Sequence, residues 1–250
     1  MIFYNKSGKK IGEIIYGDCL EILPTITELV EICVTSPPYN LLPCLSQHEI
    51  NYKSSWYNDF YEEPIYQARQ KMIIGQLMKL CNSSIFYNHK VRYAWHARNK
   101  FRGKSKIYHP MQWLNDFPIW TEIIWDRTKP NKPIQKRLTT QDERIYQIGK
   151  PKKFHNNHNI GNIWRIAPSK NDKHPCSFPI ALPGKCILLC TDEDDLVIDP
   201  YLGSGTTALA AIKHNRRFIG IEQNKEYYDL ACKRVTQELN KYQQISINFG

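Results

Sequence analysis

The chain has 250 residues, which suits one α/β domain with a buried core and small additional segments. Its hydrophobic fraction of 42% argues against wholesale disorder, and its apolar runs are too short and interrupted to span a bilayer. A formal net charge of +10 favours a polyanionic partner, because Lys and Arg displace counterions condensed on phosphates, although charge alone does not identify one.

The N-terminal segment and the cysteines both predict a cytoplasmic protein. The first residues lack the apolar region of a signal peptide. The eight cysteines are scattered with no C-x-x-C pair, which predicts reduced thiols and argues against a zinc site. His155 and His158 stand among Asn and Gly residues and are interpreted as loop residues, so we expect no bound metal.

Short apolar runs, several of them ending in turn residues, predict seven strands. In chain order they span 11–16, 32–35, 84–87, 122–125, 144–148, 196–198 and 218–221. Helical spacing predicts helices over 65–80 and 206–213, and a third that Asn224 caps and that extends to Leu239. This alternation predicts a single α/β domain over 1–250, with a seven-stranded, mostly parallel sheet and helices on both faces.

Three polar stretches do not fit the predicted sheet, and we expect them to be insertions that contact a partner. The segment 41–63 is rich in Tyr, Asn, Ser and Trp, and 96–113 is basic. The segment 151–175 mixes Lys, His and Asn around Asn162 and Arg165.

The run from Asp199 to Thr207 reads as a strand end, a glycine loop and a helix start, which predicts a ligand site. Glycine allows positive φ and a close approach of the backbone, and a helix start presents unpaired N–H groups. A dinucleotide fingerprint would need a third glycine where Ala208 stands. Glu222, at the end of the next strand, could accept both hydroxyls of a ribose, which is a feature of nicotinamide and S-adenosylmethionine sites alike.

The run Thr35-Ser36-Pro37-Pro38-Tyr39-Asn40 also follows an apolar strand. Two prolines fix two φ angles and remove two N–H donors, so nearby carbonyls become rigid acceptors. Such acceptors suit an amine that must lose hydrogen while its nitrogen attacks a methyl group. Tyr39 offers a flat face on which an extruded base can stack.

Together, the two motifs resemble the DNA amino-methyltransferases that modify cytosine N4 or adenine N6. The catalytic motif precedes the cofactor motif, which resembles the circularly permuted group called beta. The resemblance implies a Rossmann-like methyltransferase fold, S-adenosylmethionine as cofactor without a metal, and the catalytic residues Ser36, Pro37, Pro38 and Tyr39. The cofactor contacts that it implies are Asp18, Cys19, Thr35, Phe178, Asp199, Pro200, Gly203, Ser204, Gly205, Thr206 and Glu222.

The identity of the base depends on position 36. Serine before Pro-Pro-Tyr resembles the cytosine-N4 enzymes, whereas adenine-N6 enzymes usually carry Asp or Asn, so cytosine N4 is favoured and adenine N6 stays the alternative. A cytosine-C5 enzyme would need a Pro-Cys nucleophile, but Cys44 and Cys176 do not end a predicted strand. A methyltransferase of RNA or protein, and a DNA-binding module with a vestigial cofactor site, are the remaining alternatives.

Double-stranded DNA is the expected partner, reached by base flipping. Arg98, Lys100 and Arg102 are predicted to contact phosphates, while Asn162 or Arg165 could read base edges. The resemblance implies a part in a restriction-modification system, with a cognate restriction endonuclease as a candidate partner. Family members often form a homodimer, although the sequence shows no interface. A bacterial or phage origin follows from the same resemblance, and the short, interrupted apolar runs predict no membrane association.

Overall fold

The computed structural model describes residues 1–41, 61–94, 106–129, 138–156, 159–168 and 178–247. The strands are β1 (Ile2–Tyr4), β2 (Lys10–Tyr16), β3 (Ile32–Thr35), β4 (Ile85–His89), β5 (Arg92–Ala94), β6 (Lys106–Tyr108), β7 (Ile119–Asp126), β8 (Asp142–Ile148), β9 (Ile163–Arg165), β10 (Leu196–Asp199) and β11 (Arg217–Glu222). The helices are α1 (Cys19–Ile22), α2 (Glu63–Leu80), α3 (Met111–Leu114), α4 (Ala181–Cys190), α5 (Thr206–Lys213) and α6 (Lys225–Ile247), with a 3₁₀ turn at Leu23–Thr25. In the part of the chain described, no helix is long and apolar enough to cross a membrane.

Nine strands form one sheet in the order β1-β2-β11-β10-β3-β4-β8-β7-β9, and β5 pairs with β6 separately. The central strands β2, β11, β10, β3 and β4 run parallel, and β8 is antiparallel to both of its neighbours. The α/β fold is therefore confirmed, and each of the seven predicted strands is present. The predicted count was too low because β1 and β9 lie at the sheet edges and have only three residues each, too few to show a periodic pattern.

Helices cover both faces of the sheet. Residues of α4, α5 and α6 belong to one buried cluster, and residues of α1, α2 and α3 belong to the other. Along β3, Ile32 and Val34 face the first cluster while Cys33 faces the second. Burial on both faces explains why the central strands read as continuous apolar runs rather than as alternating ones.

The carboxyl ends of the parallel strands meet at one edge, where the predicted motifs lie. Gly17 follows β2 and donates its N–H to the carbonyl of Glu222 at the end of β11, over 3.0 Å. Asn224 accepts a hydrogen bond from the N–H of Tyr227 through Oδ1 at 3.1 Å, which confirms the predicted cap of α6. The sheet thus gathers residues that are far apart in the chain at a single edge.

Candidate active site and cofactor pocket

Asp199 ties the glycine loop to the neighbouring strand. Its Oδ1 accepts hydrogen bonds from Thr35 Oγ1 at 2.7 Å and from the N–H of Tyr201 at 3.0 Å, and its Oδ2 accepts one from Thr207 Oγ1 at 2.7 Å. Burial raises the pKa of this carboxyl to about 6, although the three hydrogen bonds oppose the rise. Asp199 therefore fixes β10, β3 and the first turn of α5 relative to one another.

The glycine loop and Glu222 form the floor of the site. Gly203 and Gly205 have φ of 55° and 91°, in the left-handed region that glycine adopts most readily. Glu222 Oε2 accepts the N–H of Gly203 at 2.8 Å, and Oε1 accepts the N–H of Asn224 at 2.7 Å. Burial raises the pKa of Glu222. The loop and the carboxylate are thus held as one unit.

A cleft of about 460 Å³ joins the glycine loop to the Pro-Pro-Tyr turn. Among the predicted site residues, its lining includes Cys19, Ser36, Pro38, Pro200, Gly203 and Glu222. Residues that sequence reasoning missed also line it: Gly17, Tyr201, Ile221, Gln223 and Tyr227. Ser36 and Gly203 are 167 positions apart in the numbering (203 − 36), yet they line one cleft.

Other predicted cofactor residues lie behind this lining. Ser204 is buried, and its Oγ and carbonyl accept hydrogen bonds from Arg234 Nη1 at 2.6 and 2.7 Å. Thr206 is buried at the start of α5, and Phe178 packs in the core cluster of α4. Thr35 Oγ1 is engaged by Asp199, and none of these four residues is among those that line the cleft.

Asp18 is held by a partner that the sequence did not indicate. It caps α1 by accepting the N–H of Leu20 at 2.9 Å, and Arg69 Nη2 of α2 contacts its two carboxylate oxygens at 2.6 and 2.8 Å. Beside it, burial raises the pKa of the Cys19 thiol to about 12, so this thiol is neutral. A lone Arg within an amphipathic helix carries no sequence signal that would pair it with Asp18.

The Pro-Pro-Tyr turn is fixed by hydrogen bonds at both ends. The carbonyl of Pro38 accepts the hydroxyl of Tyr66 at 2.7 Å. Asn40 has a φ of 53°, and its side chain both donates to and accepts from the backbone of Tyr61 at 3.0 Å. Pro37 is buried, and Tyr39 is 7% exposed with its ring 4.7 Å from that of His89. The turn therefore presents a rigid backbone to the cleft.

A buried polar cluster that sequence reasoning missed surrounds the Tyr39 hydroxyl. Tyr39 Oη lies 2.8 Å from Ser36 Oγ and donates to Glu143 Oε2 at 2.9 Å. Asn88 Nδ2 contacts the same hydroxyl at 2.7 Å and the same carboxylate oxygen at 3.1 Å. Asn88 follows a predicted strand and Glu143 precedes another, which marks both as strand-end polar residues. Their mutual contact depends on the antiparallel pairing of β4 with β8, which the sequence did not reveal.

The predicted DNA contacts are only partly within the described residues. Arg98, Lys100 and Arg102 lie outside them, as do His158, Cys44 and Cys176. Asn162 Nδ2 donates to the carbonyl of Glu122 at 3.0 Å, which ties it to the sheet edge. The Arg165 side chain is 78% exposed, with Asp126 at 3.5 Å. No group of side chains suited to a metal ion occurs among the described residues.

Comparisons with known proteins identify the family. A family model described as DNA methylase, of the N6/N4 methyltransferase group, matches residues 30–233. The Type II methyltransferase M2.MboI of Moraxella bovis is 26% identical over 92% of this chain and 90% of its own length. The DNA adenine methyltransferase YhdJ of Escherichia coli (strain K12) is 26% identical over 91% of this chain and 84% of its own.

Among solved structures, the PvuII DNA methyltransferase (cytosine-N4-specific) superimposes with a TM-score of 0.69 over 92% of each chain, at 20% identity. At that identity the likeness concerns the fold. The family model, by contrast, spans most of the sequence, including both motifs that form the cleft. The chain therefore belongs to the N6/N4 DNA methylase family.

Proposed function

We propose that this protein transfers a methyl group from S-adenosylmethionine to N4 of cytosine in duplex DNA. The observation that carries the proposal is the single cleft lined by Ser36 of the Pro-Pro-Tyr turn and by Gly203 and Glu222 of the cofactor motif. A methyl donor on the glycine floor and an amine at Ser36 would share that cleft. Such placement of two reactants supplies much of a rate enhancement.

The cleft residues fit S-adenosylmethionine. Each oxygen of Glu222 accepts one backbone N–H and has capacity for a further hydrogen bond, so the carboxylate can receive the two ribose hydroxyls. The positive φ of Gly203 lets the backbone pass close to the ligand. We assign Asp18 and Cys19 to the adenine end and Phe178 to packing near the methionine end. When bound, the cofactor supplies an electrophilic methyl group.

The chain itself holds and orients the target amine. We assign to Ser36 Oγ and the Pro37 carbonyl the acceptance of hydrogen bonds from the amine, since the two prolines keep this backbone rigid. Tyr39 is assigned to stacking on the flipped base. Because Tyr39 is 7% exposed and Lys90 Nζ lies 5.3 Å from its ring centroid, stacking requires the ring or Lys90 to move when DNA binds.

Replacing Ser36 tests this assignment. Ser36→Ala should lower the single-turnover methylation rate by about 10²-fold, the usual cost of one stabilising contact in a transition state. Its affinity for S-adenosylmethionine, measured by calorimetry, should match that of the wild type. Ser83→Ala is the matched control, since Ser83 Oγ accepts the N–H of Lys152 at the opposite end of β4. Normal methylation by Ser36→Ala would remove Ser36 from the mechanism.

The base is assigned to cytosine because serine precedes the Pro-Pro-Tyr run. Adenine N6 is the second candidate, favoured by the adenine methyltransferase among the relatives. Mass spectrometry of digested DNA from cells with and without the gene should detect N4-methylcytosine. Detection of N6-methyladenine instead would overturn the base assignment. Competition between duplex DNA and RNA for methylation tests whether DNA is the substrate. Modification-sensitive sequencing of the same DNA gives the recognition sequence.

The cellular setting follows from the same proposal. The type II names of several relatives support a restriction–modification system, which protection of methylated DNA from a co-encoded endonuclease would test.

We assign phosphate contacts to Arg98, Lys100 and Arg102, and base reading to Asn162 or Arg165. The resemblance allows a homodimer without requiring one, and sedimentation decides between monomer and dimer. The bacterial cytoplasm, or that of a phage-infected cell, is where this substrate lies.

A further inference from the structure

We propose that Asn88 is a further acceptor that shares the two hydrogens of the target amine with Ser36 Oγ and the Pro37 carbonyl, and that Glu143 is the positioning residue that holds Asn88. This inference rests on the proposed function, because it assumes that the site binds a base with an exocyclic amine. It applies to cytosine and to adenine alike, since both carry such an amine.

The orientation of the Asn88 side chain follows from its neighbours. Nδ2 lies 2.7 Å from Tyr39 Oη, 3.1 Å from Glu143 Oε2 and 3.3 Å from Ser36 Oγ. A carboxylate only accepts hydrogen bonds, so the nitrogen rather than the oxygen of the amide must face Glu143. With the amide nitrogen making these contacts, Oδ1 is the atom of the carboxamide that is left without a hydrogen bond among the described residues.

The oxygen of Asn88 is the acceptor in question. Asn88 is 3% exposed, and Oδ1 accepts no hydrogen bond from the residues that the structure describes. A buried acceptor without a donor destabilises the free enzyme, and a donor that arrives with the substrate removes that cost. The exocyclic amine of a flipped base is such a donor.

The spacing of the two acceptors suits one amine. Within an amide, oxygen and nitrogen are roughly 2.3 Å apart, so Asn88 Oδ1 lies within roughly 5.6 Å of Ser36 Oγ, given the 3.3 Å contact from Nδ2. Two acceptors that bind the two hydrogens of a planar NH₂ group lie roughly 5 Å apart. Ser36 and Asn88 can therefore contact the same amine.

Glu143 also sets the direction of the hydrogen bond at Ser36. Glu143 is 8% exposed, and its carboxylate accepts the hydroxyl hydrogen of Tyr39. In the 2.8 Å contact between Tyr39 and Ser36, the hydrogen must then come from Ser36. Asn88 Nδ2 donates to one lone pair of Ser36 Oγ at 3.3 Å, and the other lone pair remains for the amine. A base that presents a carbonyl in place of the amine would meet acceptors only, so the site selects bases with an amine.

The test is a double-mutant cycle that combines a substitution of Asn88 with removal of the exocyclic amine from the target base. It uses duplexes that carry the sequence methylated by the wild type, with either the natural target base or an analogue without the amine, which is 2-pyrimidinone for cytosine or purine for adenine. For the wild type, loss of the amine should weaken binding about tenfold, as expected for two hydrogen bonds. For Asn88→Leu this factor should fall to about threefold, with unchanged affinity for S-adenosylmethionine and a kcat at least about tenfold lower.

Gln147→Leu is the matched control, because Gln147 is another buried carboxamide of the same sheet and bonds to Ser84 Oγ at 3.1 Å, away from the cleft. It should keep the tenfold factor. An Asn88→Leu protein with the full wild-type factor would overturn the assignment. Asn88→Ala, which also removes the acceptor, replaces it in the cycle if the leucine variant does not fold, and Glu143→Gln should lower kcat without changing cofactor affinity. Wild-type protein that methylates no DNA would instead refute the proposed function.

Discussion

At the scale of single residues, Asp199 holds the glycine loop against the sheet, and its protonation makes the stability of the fold depend on pH. It is 2% exposed, and its hydrogen bonds join two strands and a helix. Because burial raises its pKa to about 6, the folded chain keeps the proton of Asp199 to a higher pH than the unfolded chain does. Its contribution to stability is therefore greatest in acid and is lost as pH rises through about 6.

Asp199→Asn should remove this pH dependence. Between about pH 5 and about pH 8, the free energy of unfolding of the wild type should fall by about 1 kcal/mol relative to that of the variant. Urea titrations at several pH values measure the difference. Asp229→Asn, at an exposed ion pair with Lys225, is the control and should run parallel to the wild type. Parallel curves for Asp199→Asn would show that Asp199 is ionised normally in the folded protein.

At the scale of elements, the junction between the glycine loop and α5 depends on a residue without a side chain. Gly205 has a φ of 91°, and a Cβ at this position would lie 3.2 Å from that of Ala231 in α6. Backbone strain and contact therefore act together there. Gly75, in the middle of α2, has nothing within 4 Å of an added Cβ. The two glycines thus offer a matched pair of substitutions with opposite expected effects.

Gly205→Ala should lower the free energy of unfolding by about 1–2 kcal/mol, because the new residue would have to adopt a left-handed conformation. Gly75→Ala should raise it by about 0.5–1 kcal/mol, since alanine is the better helix former. Chemical denaturation of both variants measures these changes. A destabilised Gly75→Ala, or a Gly205→Ala as stable as the wild type, would contradict the assigned backbone conformations.

The central elements could be predicted because burial on both faces leaves a direct trace in the sequence. The apolar runs of β3, β10 and β11, and the turn residues after them, are local features. Both motif residues at the cleft, Ser36 and Gly203, follow such runs, so their positions at one sheet edge could be inferred. The mostly parallel core follows from the alternation of strands and helices, whereas the order of the strands could not be inferred from the sequence.

The contacts that sequence reasoning missed depend on pairings between distant segments. Arg69 meets Asp18 because α2 packs beside α1, and a separation of 51 positions has no periodic signature. Asn88 meets Glu143 across the antiparallel pair of β4 and β8. Their register is set by packing in three dimensions rather than by any local pattern. Polar networks of this kind become visible only once the sheet order is known.

At the scale of the whole molecule, the net charge of +10 bears on how DNA reaches the cleft. Positive charge strengthens binding to phosphates irrespective of sequence, and its contribution weakens as salt is added. The cleft opens at the carboxyl ends of the parallel strands, so charges near that edge should matter more than charges at the opposite edge. Lys9, Lys10 and Lys213 lie at the opposite edge, where β2 begins and α5 ends.

Two triple substitutions to glutamine separate local binding from overall charge. Each lowers the formal net charge of +10 by three, one at Arg98, Lys100 and Arg102 and the other at Lys9, Lys10 and Lys213. The first should weaken binding to every duplex and reduce the slope of log K against log salt by roughly 0.9 for each phosphate that the protein no longer neutralises. The second should leave that slope nearly unchanged, because it alters the same total charge away from the DNA. Equal slopes for the two variants would mean that only overall charge draws DNA to the protein, and weaker binding confined to one sequence would mean that the first set reads bases.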